Sequence, residues 1–139
     1  MRSAELQDAL YAALNVPTVT SLLVQGGAYV PIYTSVPQTD NGEDDAEFPY
    51  ISFGTETTTA FNDKDQSGGN TVAQIDVWTR ELDLHQCKRI CDAVRAAVER
   101  QPLALTGHIT TEFESAAYTR DPDGKTRHGI MLFRVLYLG

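Results

Sequence analysis

His85, Cys87 and Cys91 come closest in this sequence to a metal-binding set. A structural zinc site needs four ligands at tetrahedral corners, and no second Cys/His pair accompanies these three. Cys87 and Cys91 have the i, i+4 spacing that stacks side chains on one helix face, so they read as small apolar core residues. Asp63, Asp65, Ser67 and Gly68 repeat the first half of a calcium loop, but Gln74 stands where that loop needs a bidentate glutamate. The run also lies between strand-like segments, whereas the calcium motif joins helices, so an acidic loop tip is the reading adopted. His108 and His128 sit at a strand start and near a turn, with no nucleophile elbow beside them. A triad assembled in space stays open at this level. No glycine-rich phosphate loop is present. Catalytic residues, metal and cofactor are therefore all assigned as none, and a binding or structural protein is expected rather than an enzyme.

The elements that would position these groups follow from length and patterning. The chain has 139 residues and 42% hydrophobic content, which suits one α+β domain spanning 1–139. No apolar run reaches the length of about 20 residues that spans a bilayer, and the N-terminus lacks the apolar segment of a signal peptide. A cytosolic place of synthesis and assembly, with no membrane partner, is the expectation. Net charge is −8, from 11 Lys+Arg against 19 Asp+Glu, and the basic residues are not clustered. Sequence-specific nucleic-acid binding needs such clusters to neutralise phosphates, and is not expected.

The organising stretch is 48–80. Phe48-Pro49-Tyr50-Ile51-Ser52-Phe53-Gly54 opens a strand, and Thr71-Val72-Ala73-Gln74-Ile75-Asp76-Val77-Trp78-Thr79 alternates polar and apolar as a half-buried strand does. Residues 62–70 between them, with Asp63, Asp65, Ser67, Gly68 and Gly69, read as a long flexible loop. Helices are expected over 4–14, with Ser3 as N-cap, and over 84–101, with Asp83 and Gln86 in capping-box spacing. Pro17 opens a short turn, Tyr29-Val30-Pro31-Ile32-Tyr33 is a short strand that its proline confines to an edge or a strand start, and 35–47 is an exposed acidic loop containing Glu43, Asp44 and Asp45. A second hairpin follows. Ile109, Thr111, Phe113 and Ser115 should share one face, Asp121-Pro122-Asp123-Gly124 has type I turn chemistry, and the return strand is apolar on both faces. The sheet is expected to be mainly antiparallel, from 48–61, 71–80, 106–119 and 126–138, with two main helices packed on one face. Ile130, Leu132 and Leu136, with Arg134 among them, would form the other face. An apolar face of that kind is covered by a neighbour when exposed, so these four residues are the candidate subunit interface.

The order of these segments resembles the tail terminator or tail-completion proteins of tailed phages and gene transfer agents. The resemblance rests on the Leu6–Leu14 helix, the Val30-x-x-Tyr33 strand, Val36-Pro37-Gln38, Phe48-Pro49-Tyr50-Ile51-Ser52-Phe53-Gly54, and Ile75-Asp76-Val77-Trp78-Thr79, followed by a long helix and a closing hairpin. It implies a structural virion protein at the head-proximal end of the tail. Such proteins form a ring, a hexamer, that caps the tail tube, stops its polymerisation and meets a head-side connector. Asp63, Asp65, Ser67, Gly68 and Gly69 would then be a loop contacting the tube or a neighbour, and Glu43, Asp44 and Asp45 would line the lumen through which DNA passes. A head–tail connector or neck protein, and a small-molecule-binding accessory domain, are the alternatives. The long acidic stretch around 40–47 departs from the family pattern.

Overall fold

Strands β2 (Tyr50–Asn62) and β3 (Ser67–Thr79) are rich in β-branched and aromatic residues and pair as a long antiparallel hairpin. The computed structural model describes residues 2–38, 46–62 and 65–139. Among these residues, five strands form one sheet in the order β1-β2-β3-β5-β4, with β1 (Ile32–Tyr33), β4 (His108–Arg120) and β5 (Arg127–Leu138) completing it. Every pairing is antiparallel except β1 with β2, which is parallel and only two residues long. Helices α1 (Ser3–Leu14), α2 (Pro17–Thr20) and α3 (His85–Val98) join the sheet in an α+β fold.

The core forms where period-two and period-3.6 patterns coincide. Ile75, Val77, Met131, Phe133, Val135 and Tyr137 share one buried cluster with Leu6, Leu10 and Leu14 of α1 and Ile90, Val94 and Val98 of α3. Each such side chain contributes about 1.5–3 kcal/mol of burial before entropy is subtracted. α3 lies against β3, β4 and β5, and α1 lies against α3. Cys87 and Cys91 are both buried and free, and they flank Gly129 of β5. A Cβ there would lie 2.6 Å from Cys91 Sγ and 3.0 Å from Cys87 Sγ, so the glycine makes room for the two thiols. The hydrogen bond with Cys87, followed by burial, pushes the Cys91 thiol up, consistent with a packing role.

Several boundaries differ from the sequence reading, each for a local reason. Ser3 is the first residue of α1 rather than its cap, and Arg2 occupies the cap position. Glu5 accepts 2.6 Å hydrogen bonds from Thr106 N–H and Oγ1, tying this helix start to the loop before β4; these bonds hold its carboxyl below the usual range. Asp83 makes no capping box, but its Oδ1 accepts from His85 N–H at 2.9 Å. α3 stops at Val98 because Arg100 turns to φ 55° and gives its N–H to Thr111 O at 2.8 Å. β4 carries bulges at His108/Thr110 and Phe113/Ser115. The second re-phases the strand: Phe113 pairs with Phe133 on the core side, but Ser115 falls opposite Leu132 and Ala116 turns inward opposite Met131.

The expected loop over 62–70 is the largest correction. β2 runs to Asn62 and β3 begins at Ser67, so Ser67, Gly68 and Gly69 are strand residues. Gly69 lies beneath the Tyr137 ring and Gly68 against the Tyr137 carbonyl, where any side chain would overlap. Here glycine permits a close approach rather than flexibility. The β4–β5 turn has the expected chemistry, with Gly124 N–H donating to Asp121 O at 3.1 Å. Hydrogen bonds from Thr126 Oγ1, Thr126 N–H and Lys125 N–H hold the Asp123 carboxyl at about 2. A depressed carboxylate contributes stability above its ordinary value of 3.8, and that contribution is lost as pH falls through about 2. Asp123→Asn is therefore expected to flatten the acid limb between those values. Urea midpoints at pH 5 and pH 2.5 check it: an unchanged acid limb would mean the turn is indifferent to this charge.

Candidate assembly surface

The second face of the sheet is read off the register as rungs across β2, β3, β5 and β4. Tyr50, Trp78, His128 and Thr119 form one rung, followed by Ser52, Asp76, Ile130 and Ala117. Thr57, Val72, Arg134 and Glu112 form another, then Thr59, Asn70, Leu136 and Thr110. Gln74, Leu132 and Ser115 lie between these pairs of rungs. Ile130, Leu132 and Leu136 are half-buried here, aligned along one strand as their alternate spacing requires. Arg134 is held from two sides, by Glu114 and by Asn70 Oδ1 at 2.7 Å. The face thus combines a strip of apolar side chains with a fixed ion pair.

An aromatic and polar cluster occupies the end of the face near β1. Tyr33, Tyr50, Trp78 and His128 follow one another, with the Trp78 and His128 rings stacked at 3.7 Å and Phe48 lying 5.1 Å from Tyr50. The Arg80 guanidinium lies 4.1 Å above the Phe48 ring. Asp76, only 5% exposed, meets His128 Nε2 at 2.7 Å and accepts from Gln74 Nε2 at 2.9 Å. Trp78 Nε1 donates to Ser52 Oγ at 2.9 Å. Serine, histidine and aspartate are therefore neighbours, but among the described residues the serine oxygen is bonded to tryptophan and not to the imidazole. A nucleophile–base pair of the hydrolase kind is not what these contacts build. Sequence reasoning missed this cluster. The alternation Gln74-Asp76-Trp78 signalled one face, but bringing His128 to Asp76 required the β3–β5 register.

The other candidate residues are dispersed. His85 is exposed at the start of α3, and His108 is pinned by Thr111 Oγ1 at 2.8 Å, with burial holding its imidazole below the usual range. Asp65 is exposed beside β3. Asp63, Glu43, Asp44 and Asp45 lie outside the described residues. Among the described residues, no group of His, Cys, Asp and Glu could hold a metal ion.

A five-stranded sheet whose buried side chains share one core with α1 and α3, and whose second face carries aromatic and apolar side chains, defines a small α+β fold with a surface fit for contact. The family described as "Tail completion protein gp17" matches residues 8–138, and the chain belongs to that family. The tail completion protein gp17 of Bacillus phage SPP1 is 30% identical over 110 residues, covering 77% of this chain and 81% of that protein. The fold is that of a chain in the virion of a native gene transfer agent particle, with a TM-score of 0.81 and 23% identity over 99% of this chain and 97% of that one. The structure of SPP1 gp17 is more distant, with a TM-score of 0.56 at 23% identity, covering 96% and 88% of the two chains.

Proposed function

We propose that this protein completes a phage-type tail: six copies form a ring on the head-proximal end of the tail tube, end its polymerisation and present the joining surface to the head connector. Assembly takes place in the host cytoplasm and the product is the virion. Family membership supports the tail-completion role. The observation that carries the assembly role is the second sheet face. Residues of α1 and α3 share the buried cluster with Ile75, Val77, Met131 and Phe133, whereas Ile130, Leu132 and Leu136 are half-buried, beside a locked Arg134–Glu114 pair and a stacked aromatic cluster. We assign Ile130, Leu132, Arg134 and Leu136 to contact with another subunit of the assembly. We assign Asp63 and Asp65, between β2 and β3, with Ser67, Gly68 and Gly69 at the start of β3, to contact with the tube or a neighbour. Glu43, Asp44 and Asp45 are assigned to the lumen, where carboxylates repel passing phosphates within roughly a Debye length of 8 Å.

Leu132→Asp tests this reading. The side chain is not in the core, so the variant should keep its melting temperature within a few degrees while failing to complete tails. Electron microscopy of tails assembled with it is expected to show tubes of uncontrolled length. Tails of normal length would refute the assignment of this face.

A further inference from the structure

We propose that the free edge of β2 over 56–62 is an inter-copy junction, pairing antiparallel with the free edge of β4 in the next copy. The proposal rests on the ring inferred above and specifies which surfaces meet within it.

Among the described residues, β1 pairs with β2 at Ile51 and Ser52, and β4 is the last strand of the sheet, its edge met at Thr111 O by Arg100 N–H. Ile51 gives its N–H outward to Pro31 O, so its neighbour Ser52, opposite Asp76, faces β3. Every second residue of β3 from Asp76 then bonds toward β2, and after the bulge Thr57 and Thr59 take the inner positions opposite Val72 and Asn70. Glu56, Thr58 and Ala60 accordingly point their N–H and C=O groups away from the sheet. Isolated sheets blunt such an edge with Lys, Pro, strong bulges or charges pointing to the core side. Glu56-Thr57-Thr58-Thr59-Ala60-Phe61-Asn62 carries neither Lys nor Pro, its bulge lies before it, and Glu56 is its single core-side charge.

Strand direction and charge both select the β4 edge of a second copy. β2 to β3, β3 to β5 and β5 to β4 are each antiparallel, so β2 and β4 run in opposite directions within one copy. Continuing the sheet into another copy, helices on the same side, therefore sets β2 against β4 antiparallel. The contact joins two different surfaces, as a closed ring requires. Glu56 shares the core-side rung with Ala73, is half-buried, and has neither an ion pair nor a hydrogen bond among the described residues. Burial holds its carboxyl above the usual range. On the same side of β4, Arg95 lies 4.0 Å from the Phe113 ring centre and Lys88 5.5 Å from that of Tyr118. Arg95 is bridged to Glu99 at 2.6 Å, but Lys88 has no carboxylate partner among the described residues. Within one copy Glu56 is level with Phe113, so we place the junction in a staggered register that sets Glu56 opposite Tyr118, and so beside Lys88, of the next copy.

Ala60→Pro removes one outward N–H without touching the β3 ladder, and Glu56→Lys and Lys88→Glu each place like charges across the junction. Purified chains would be compared by sedimentation velocity and by their capping of tail tubes, with circular dichroism as the folding control. The native chain should form rings on tubes. Each single variant should fold and need at least about tenfold more protein to assemble. The double variant Glu56→Lys/Lys88→Glu should recover assembly. Single variants that assemble like the native chain, or a double variant no better than the singles, would overturn the junction while leaving the ring reading intact. A native chain that forms no ring on tubes would overturn both.

Discussion

Gly69→Ala is expected to destabilise the protein by about 1–3 kcal/mol, the range found when atoms are forced into a packed site. The added Cβ would overlap Cζ and Oη of Tyr137, a fully buried side chain, and the cross-strand pairing of Gly69 with Tyr137 leaves the ring directly above it. The sign of the effect separates two physical accounts. If Gly69 were a hinge in a mobile loop, alanine would restrict the unfolded chain and stabilise by about 0.4–1 kcal/mol. Gly27→Ala is the control, because its φ is not in the left-handed region and the nearest atom to an added Cβ is Tyr29 O at 3.7 Å. Thermal or urea midpoints for both variants decide between the accounts. Adding Tyr137→Leu to Gly69→Ala removes the obstructing ring atoms, so the double variant should lose less stability than the two single losses added together. Simple additivity, or a Gly69→Ala protein as stable as the native one, would show that the glycine is not there for close approach.

His128→Ala is expected to cost about 1–3 kcal/mol for the buried Asp76 carboxylate it leaves without its main partner. Loss of the stack on Trp78 adds about 0.5–1.5 kcal/mol. Gln74 Nε2 still donates to Asp76, which places the expected loss inside that range rather than above it. Asp76→Ala should cost a similar amount, because it strips the acceptor from both His128 and Gln74. The two losses should not add. A double-mutant cycle is expected to give a coupling of at least about 0.5 kcal/mol, as for residues in one hydrogen-bonded network. Coupling near zero would mean the 2.7 Å contact contributes nothing to stability. The same variants also probe the surface, since the Trp78–His128 stack shapes one end of the proposed assembly face. Trp78 fluorescence reports its loss independently of unfolding.

Residue pattern alone was enough for the α+β class, the positions of α1 and α3 and the two long hairpins. Hydrophobic period and turn chemistry are local properties: Asp121-Pro122-Asp123-Gly124 makes its turn with its own atoms, and Leu6, Leu10 and Leu14 mark a helix face wherever that helix packs. The resemblance to tail-completion proteins was likewise carried by short segments in order, which survive in a linear chain. The meaning of a residue whose partner is distant in sequence was decided only in three dimensions. Gly68 and Gly69 look like a loop until β5 lays Tyr137 over them. Ser115 alternates with Phe113 until a bulge, invisible to a period-two count, turns it outward. Asp76 is one polar position in a strand until the β3–β5 register sets His128 beside it. Glu56 is one acid among 19 until the pairing of β2 sets it on a core-side rung, beyond the two residues that pair with β1. For the two glycines and for Asp76 the deciding contact spans dozens of residues. Its energy depends on strand register and order, which are set by the summed packing of the whole core rather than by any single stretch.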